Sequence, residues 1–161
     1  MATTLKDFLE ERAAQEAAER EAHQAEIAEW RDSVSRLLAQ IKDWLRDADP
    51  RGILKLKEFE WEVNEEGLGH YTVPRLDITG LGSRMWVIPK ARFTVATAHP
   101  PRKTAPERAI GRVDLTDEVR RKTLYRFHGD PDDIWMIDDL KGSPRVFVRS
   151  EFEAALMSFL K

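Results

Sequence analysis

Apolar positions along this chain change period twice. Ile27, Trp30, Val34, Leu37, Leu38, Ile41 and Leu45 recur at helical spacing for five turns, and Asp49-Pro50-Arg51-Gly52 ends the pattern. Upstream, Thr4 and Asp7 resemble a capping box, followed by Leu5, Phe8 and Leu9 and then by EERAAQEAAEREAHQAE (residues 10–26). That run is rich in good helix formers and has no Gly or Pro, but it offers only alanines to bury. An unbroken helix from Leu5 to Arg46 would span roughly 63 Å, more than the width of a small domain. The second half is therefore the packed helix. Residues 1–26 are expected as a projecting helical arm or a frayed tail, and residues 27–161 as a single α+β domain.

After Gly52 the period becomes two. Leu54 and Leu56 take one phase and Phe59, Trp61 and Val63 the other, so a bulge near Lys57-Glu58 is expected. Residues 70–78 give a second strand, bent or made an edge by Pro74, and residues 84–97 a third, bent at Pro89. Gly67-Leu68-Gly69 and Gly80-Leu81-Gly82 are turns, because glycine takes positive φ cheaply. A proline-bearing loop follows, then strands near 109–115, 121–127, 134–138 and 145–149. Ser150 and Glu153 read as a capping box for a last helix, whose stripe is Phe152, Ala155, Leu156, Phe159 and Leu160. The expected fold is α+β: a long N-terminal helix, an antiparallel β-meander of about six or seven strands, and a short C-terminal helix packed on one sheet face.

Charge changes this picture more than composition does. The chain has 161 residues and a net charge of −3. Residues 1–66 hold 10 Lys/Arg against 17 Asp/Glu, whereas residues 84–126 hold 11 against 4. A basic middle framed by acidic ends suggests a partner. On the third strand Arg84, Trp86, Lys90 and Arg92 share a parity. Arg108 and Arg112 share another, as do Lys122 and Arg126. Together these eight residues could make one cationic sheet face carrying an available tryptophan, a platform for single-stranded nucleic acid. Phe93, Val95, Val113, Leu115, Tyr125 and Phe127 would then point to the helices.

Candidate chemistry is thin. There is no cysteine, which removes disulfides, thiolate metal sites and thiol nucleophiles. His23, His70, His99 and His128 are scattered, and no Gly-x-Ser-x-Gly occurs. Pro131-Asp132 followed by Asp139-Leu140-Lys141 resembles the Pro-Asp…(Asp/Glu)-x-Lys signature of a large nuclease superfamily, which implies one magnesium held by both carboxylates. However, Ile134–Ile137 reads as a strand, which would set Asp132 and Asp139 about 23 Å apart at roughly 3.3 Å per residue. The acidic flanks read instead as turn formers that discourage edge pairing.

No apolar run is long enough to cross a membrane, and the N-terminus lacks an apolar signal core. The expectation is a small cytoplasmic protein without cofactor or catalytic chemistry. It would act as a protein–protein interaction or adaptor module, by binding a protein partner or by self-association through the N-terminal helix, with no membrane contact. A nucleic-acid-binding module is the alternative. A metal-dependent hydrolase using Asp132, Asp139 and Lys141 is the third reading.

Overall fold

A computed structural model describes residues 3–139 and 142–161. Helix α1 (Leu5–Ala48) runs unbroken for 44 residues, about 66 Å at 1.5 Å per residue. The Thr4 hydroxyl accepts from the Asp7 N–H at its start, as the capping pattern predicted. At its end the Asp49 carboxylate turns the chain by accepting from the N–H groups of Ile53 and Leu54, at 2.9 and 2.8 Å. Those two backbone bonds hold the Asp49 carboxyl below its ordinary range.

The strands are β1 (Lys55–Glu65), β2 (Gly69–Gly80), β3 (Ser83–Ala91), β4 (Thr97–Ala98), β5 (Glu107–Arg108), β6 (Arg112–Thr116), β7 (Arg121–Phe127), β8 (Ile134–Asp138) and β9 (Arg145–Val146); helix α2 (Arg149–Leu160) closes the chain. One seven-stranded antiparallel sheet has the order β1-β2-β3-β6-β7-β8-β9, while β4 and β5 pair separately. The α+β meander between two helices is thus the observed fold. Tight turns set this order. Gly80 pairs with Ser83 across Leu81 and Gly82, both at positive φ, the two-residue turn whose twist matches a hairpin.

Several local expectations are corrected. No bulge interrupts β1: its register with β2 is continuous from Lys55↔Thr79 to Glu65↔Gly69. Leu56, Glu58 and Glu60 face the helices, where Lys42 and Arg31 meet the two glutamates at 2.7 Å each, and Phe59 takes the other side. Pro74 pairs with Glu60 at a level that β3, whose pairing stops at Leu76, does not reach, so β2 is interior to the sheet as a whole but is an edge locally at its proline. The third strand ends at Ala91, after a register shift at Pro89, and the strand expected near 109–115 is β6, which begins at Arg112. Helix α2 begins at Arg149 with Val148 as its cap, so Ser150 stands inside the helix. Phe147, two residues before the helix, sits 5.6 Å from Trp44 and 6.2 Å from Phe152.

The core is the helical stripe Trp30, Val34, Leu38, Ile41 and Leu45 closed over Leu76, Ile78, Met85, Val87, Val113, Leu115, Leu124 and Ile137, with Phe152 and Phe159 from α2. Each such side chain contributes about 1.5–3 kcal/mol on burial. At the tip of the β1–β2 hairpin Tyr71 and Val73, of opposite parity to Leu76 and Ile78, are also buried in this core. Burial, and then the hydrogen bond it donates to Glu65, push the Tyr71 phenol up. A second cluster lies on the far side of the sheet, where Phe127 and Met136 meet Ala109. Among the described residues no helix is long and apolar enough to cross a membrane.

Candidate functional site

The side of β1–β3 away from the helices stays open and carries an ordered arrangement of rings and cations. Alternation and register place Lys57 and Phe59 of β1, Arg75 and Asp77 of β2, and Arg84 and Trp86 of β3 on that side, while Trp61, at its margin, pairs with Val73 and also packs against the main core. The Arg75 guanidinium lies 4.8 Å from the Phe59 ring centre, 5.2 Å from that of Trp61 and 5.3 Å from that of Trp86. Asp77, two residues along the same strand face, holds it at 2.8 Å. Lys57 stands 5.2 Å over Phe59, Arg84 4.9 Å over Trp86, and Lys90 5.8 Å from Trp61. Such contacts stabilise by about 0.5–2 kcal/mol each, more as water is excluded. Lys57, Arg84 and Lys90 are exposed; the rings and Arg75 are half-buried.

The remainder of this side is covered. After Ala91 the chain leaves the sheet, and the excursion bearing β4 and β5 lays Ala98 and Ala109 over Tyr125, Phe127, Ile134 and Met136. The Glu65 carboxylate fastens the departure point by accepting from the N–H groups of Arg92 and Phe93, both at 2.8 Å.

The eight residues expected on one cationic face do not share one. Arg84, Trp86 and Lys90 belong to the open cluster. Arg92 donates to the Ile110 carbonyl at 3.0 Å, and Arg108 to that of Thr94 at 2.6 Å. Arg112 is locked on the buried Asp114 at 2.9 and 3.0 Å. Lys122 and Arg126 lie on the helix side, since the register Leu115↔Lys122, Val113↔Leu124 and Leu124↔Ile137 aligns their parity with the core. Tyr125 and Phe127 therefore face the excursion and not the helices. Both parities of β7 carry apolar residues, so alternation alone did not choose between them.

Arg126, 2% exposed, is the central ion of a cluster beneath α1. It donates to Glu29 at 2.8 Å and to Asp133 at 3.2 Å, and its charge sits 5.9 Å from the Trp30 ring. Asp133 also accepts from the Ser33 hydroxyl and, at 3.2 Å, from Arg36. The hydrogen bond from Arg126 holds the Glu29 carboxyl below its ordinary range. Burial pushes Asp133 up, but its bonds from Ser33, Arg126 and Arg36 outweigh burial and hold it low. Burial works against the charge of Arg126 as well, and its two carboxylate partners more than restore it.

A cleft of about 770 Å³ adjoins this cluster, with Trp44, Trp135 and Phe147 in its walls and Arg36, Arg102, Asp130 and Asp132 at its polar positions. Among the described residues no group of three or more His, Cys, Asp or Glu could hold a metal. Asp132 and Asp139 flank β8, which runs between them as a strand, and Asp139 pairs with Arg145 at 3.1 Å. Lys141, the third member of the nuclease-like pattern, lies outside the described residues.

The third surface is the first half of α1. Residues 5–25 are exposed along their length, and Leu5, Phe8 and Leu9 are 71, 52 and 55% exposed at the tip. Residues 5–26 carry seven Asp/Glu and three Lys/Arg.

Sequence reasoning missed Lys57, Phe59, Trp61 and Arg75 because they fall in the acidic part of the chain or beside it. A signal was present: in KEFEWE every glutamate takes one parity and Lys57, Phe59 and Trp61 the other, which marks two chemically distinct strand faces. Comparison with protein-family models, curated proteins and solved structures gave no match, so the functional reading rests on these residues.

Proposed function

We propose that this chain acts in the cytoplasm by binding another protein, through the N-terminal half of α1. One observation carries the reading. Residues 5–25 continue a core helix but contribute no buried residue, and the tip presents Leu5, Phe8 and Leu9 to solvent. A helix with an apolar tip and an acidic body suits a groove that is apolar at one end and basic along its walls. Its direction is fixed in advance by the packed half, so little conformational freedom is lost on docking. The test compares the full-length protein with Leu5→Asp/Phe8→Asp in light scattering and in co-purification from its own cells. The variant should keep its thermal stability and lose association. Identical association by the two proteins would refute the reading.

A second reading has its own support in the open face. Rings spaced across three strands and flanked by Lys57, Arg84 and Lys90 suit stacked bases and phosphates. Single-stranded oligonucleotide should then bind at low salt, weaken steeply with added salt, and fail to bind Lys57→Glu/Lys90→Glu. Absence of binding at 50 mM salt, on the order of the lower limit used for such titrations, would remove this reading.

A further inference from the structure

We infer that the arm's partner is a second copy of this chain, and that the arm docks on the open face of that copy's β1–β3. This rests on the reading of the arm as a protein-binding helix and names what it binds.

Complementarity of charge is the first argument. The arm carries seven acidic and three basic residues, while the open face presents Lys57, Arg84 and Lys90 around Arg75. Asp77 is engaged by Arg75, and Glu118 reaches Arg84 at 3.0 Å from the β6–β7 turn, so the face keeps an excess of positive charge. Apolar groups match as well: Phe8 and Leu9 are exposed on one side, and Phe59 and Trp86 are half-buried on the other.

Size is the second argument. Three strands at about 4.8 Å spacing make a strip roughly 10–14 Å wide, the diameter of one helix. The three strands lie side by side over Leu76–Gly80 of β2, about 17 Å at roughly 3.3 Å per residue, which matches about three turns of helix at the tip of the arm.

Reach is the third. An arm cannot fold back onto its own open face, because α1 continues without a break through Trp30 and lies on the opposite side of the sheet. Pairing of two arms with each other is opposed by their like charge and by a body that offers only alanines to bury. Docking must therefore be between molecules. Reciprocal exchange of arms closes a two-fold dimer, whereas one-way docking grows a chain of copies.

Light scattering of the full chain over a range of concentrations provides the test. The expected result is a species of twice the 18.6 kDa protomer mass, with an association constant falling about tenfold or more between low salt and 0.5 M salt. Phe8→Asp on the arm and Lys57→Glu/Lys90→Glu on the face should each weaken self-association by tenfold or more. Mixing these two variants should restore association in part, because one supplies an intact face and the other an intact arm. A protein that stays monomeric at both salt concentrations overturns the inference. So does a dimer that neither variant weakens, or a face that binds single-stranded oligonucleotide while the protein remains monomeric. If the wild type is monomeric and Phe8→Asp still loses a co-purifying protein, only the second-copy assignment fails and the protein-binding reading stands.

Discussion

Trp30 lies directly over Gly111. A Cβ at that glycine would stand 2.4 Å from Cζ3 of the indole, closer than real contacts come. The strand break before β6 is thus where the Trp30 ring rests on the backbone, and only a residue without a side chain fits. Gly111→Ala should lower stability by about 1–3 kcal/mol, the usual cost of overpacking. Urea unfolding should show a lower midpoint at an unchanged slope. Trp30→Leu in the same chain should recover part of the loss, since the two substitutions share one space.

Arg126 joins α1 to β7 and to the turn before β8, and removing it strands a buried charge. Arg126→Met should cost about 3–5 kcal/mol, because Asp133 keeps its burial but loses its main counter-ion. Adding Asp133→Asn should return part of that loss. Glu29→Gln should cost only about 0–1 kcal/mol, as the Glu29 side chain is 46% exposed. Chemical denaturation of the four proteins measures all three differences.

Acid should act through the same ions. Glu29 and Asp133 both have folded-state pKa values below their ordinary ones, so the unfolded chain binds protons first as pH falls. Their contribution is complete above the ordinary carboxylate range near pH 4 and is lost as pH drops through the lower folded values. Melting temperature should be flat on this account from about pH 7 to 5 and fall below about pH 4. Asp133→Asn, already less stable at neutral pH, should show a shallower fall.

The arm predicts a dissociation of helicity from stability. Ala14→Gly/Ala18→Gly places two poor helix formers in a segment without buried residues, at about 1 kcal/mol each for the local helix. Far-ultraviolet dichroism of the monomer should decrease, and amides of residues 5–25 should exchange faster. The unfolding free energy should stay within about 0.5 kcal/mol of wild type, as for other substitutions away from the core.

The sequence made elements easier to read than faces. Strands β7 and β8 fall where their alternation put them, and the stripe from Trp30 to Leu45 packs as its spacing required. The faces were harder because apolar residues occupy both parities of β1, β3 and β7. A rule that sends greasy positions to the core cannot decide when both sides are greasy. The excursion between β3 and β6 is what made this possible, by building a second small core over Phe127 and Met136. Arg126 illustrates the difficulty from the polar side. An arginine beside Leu124 and Phe127 looks like surface, and Asp133 together with Glu29, ninety-seven residues earlier, explains its burial. Long-range ion pairs of that kind leave no periodic trace.

The sheet keeps nearly the order of synthesis, each strand lying beside one made just before it. During translation α1 is therefore complete while nothing yet exists to cover Trp30, Val34 and Leu38, and the first shelter arrives with the β1–β2 hairpin. Phe152 and Phe159 come last of all. A chain halted before α2 would hold an unsealed core beside an already formed helix whose first half is acidic, and only the arrival of α2 closes that core.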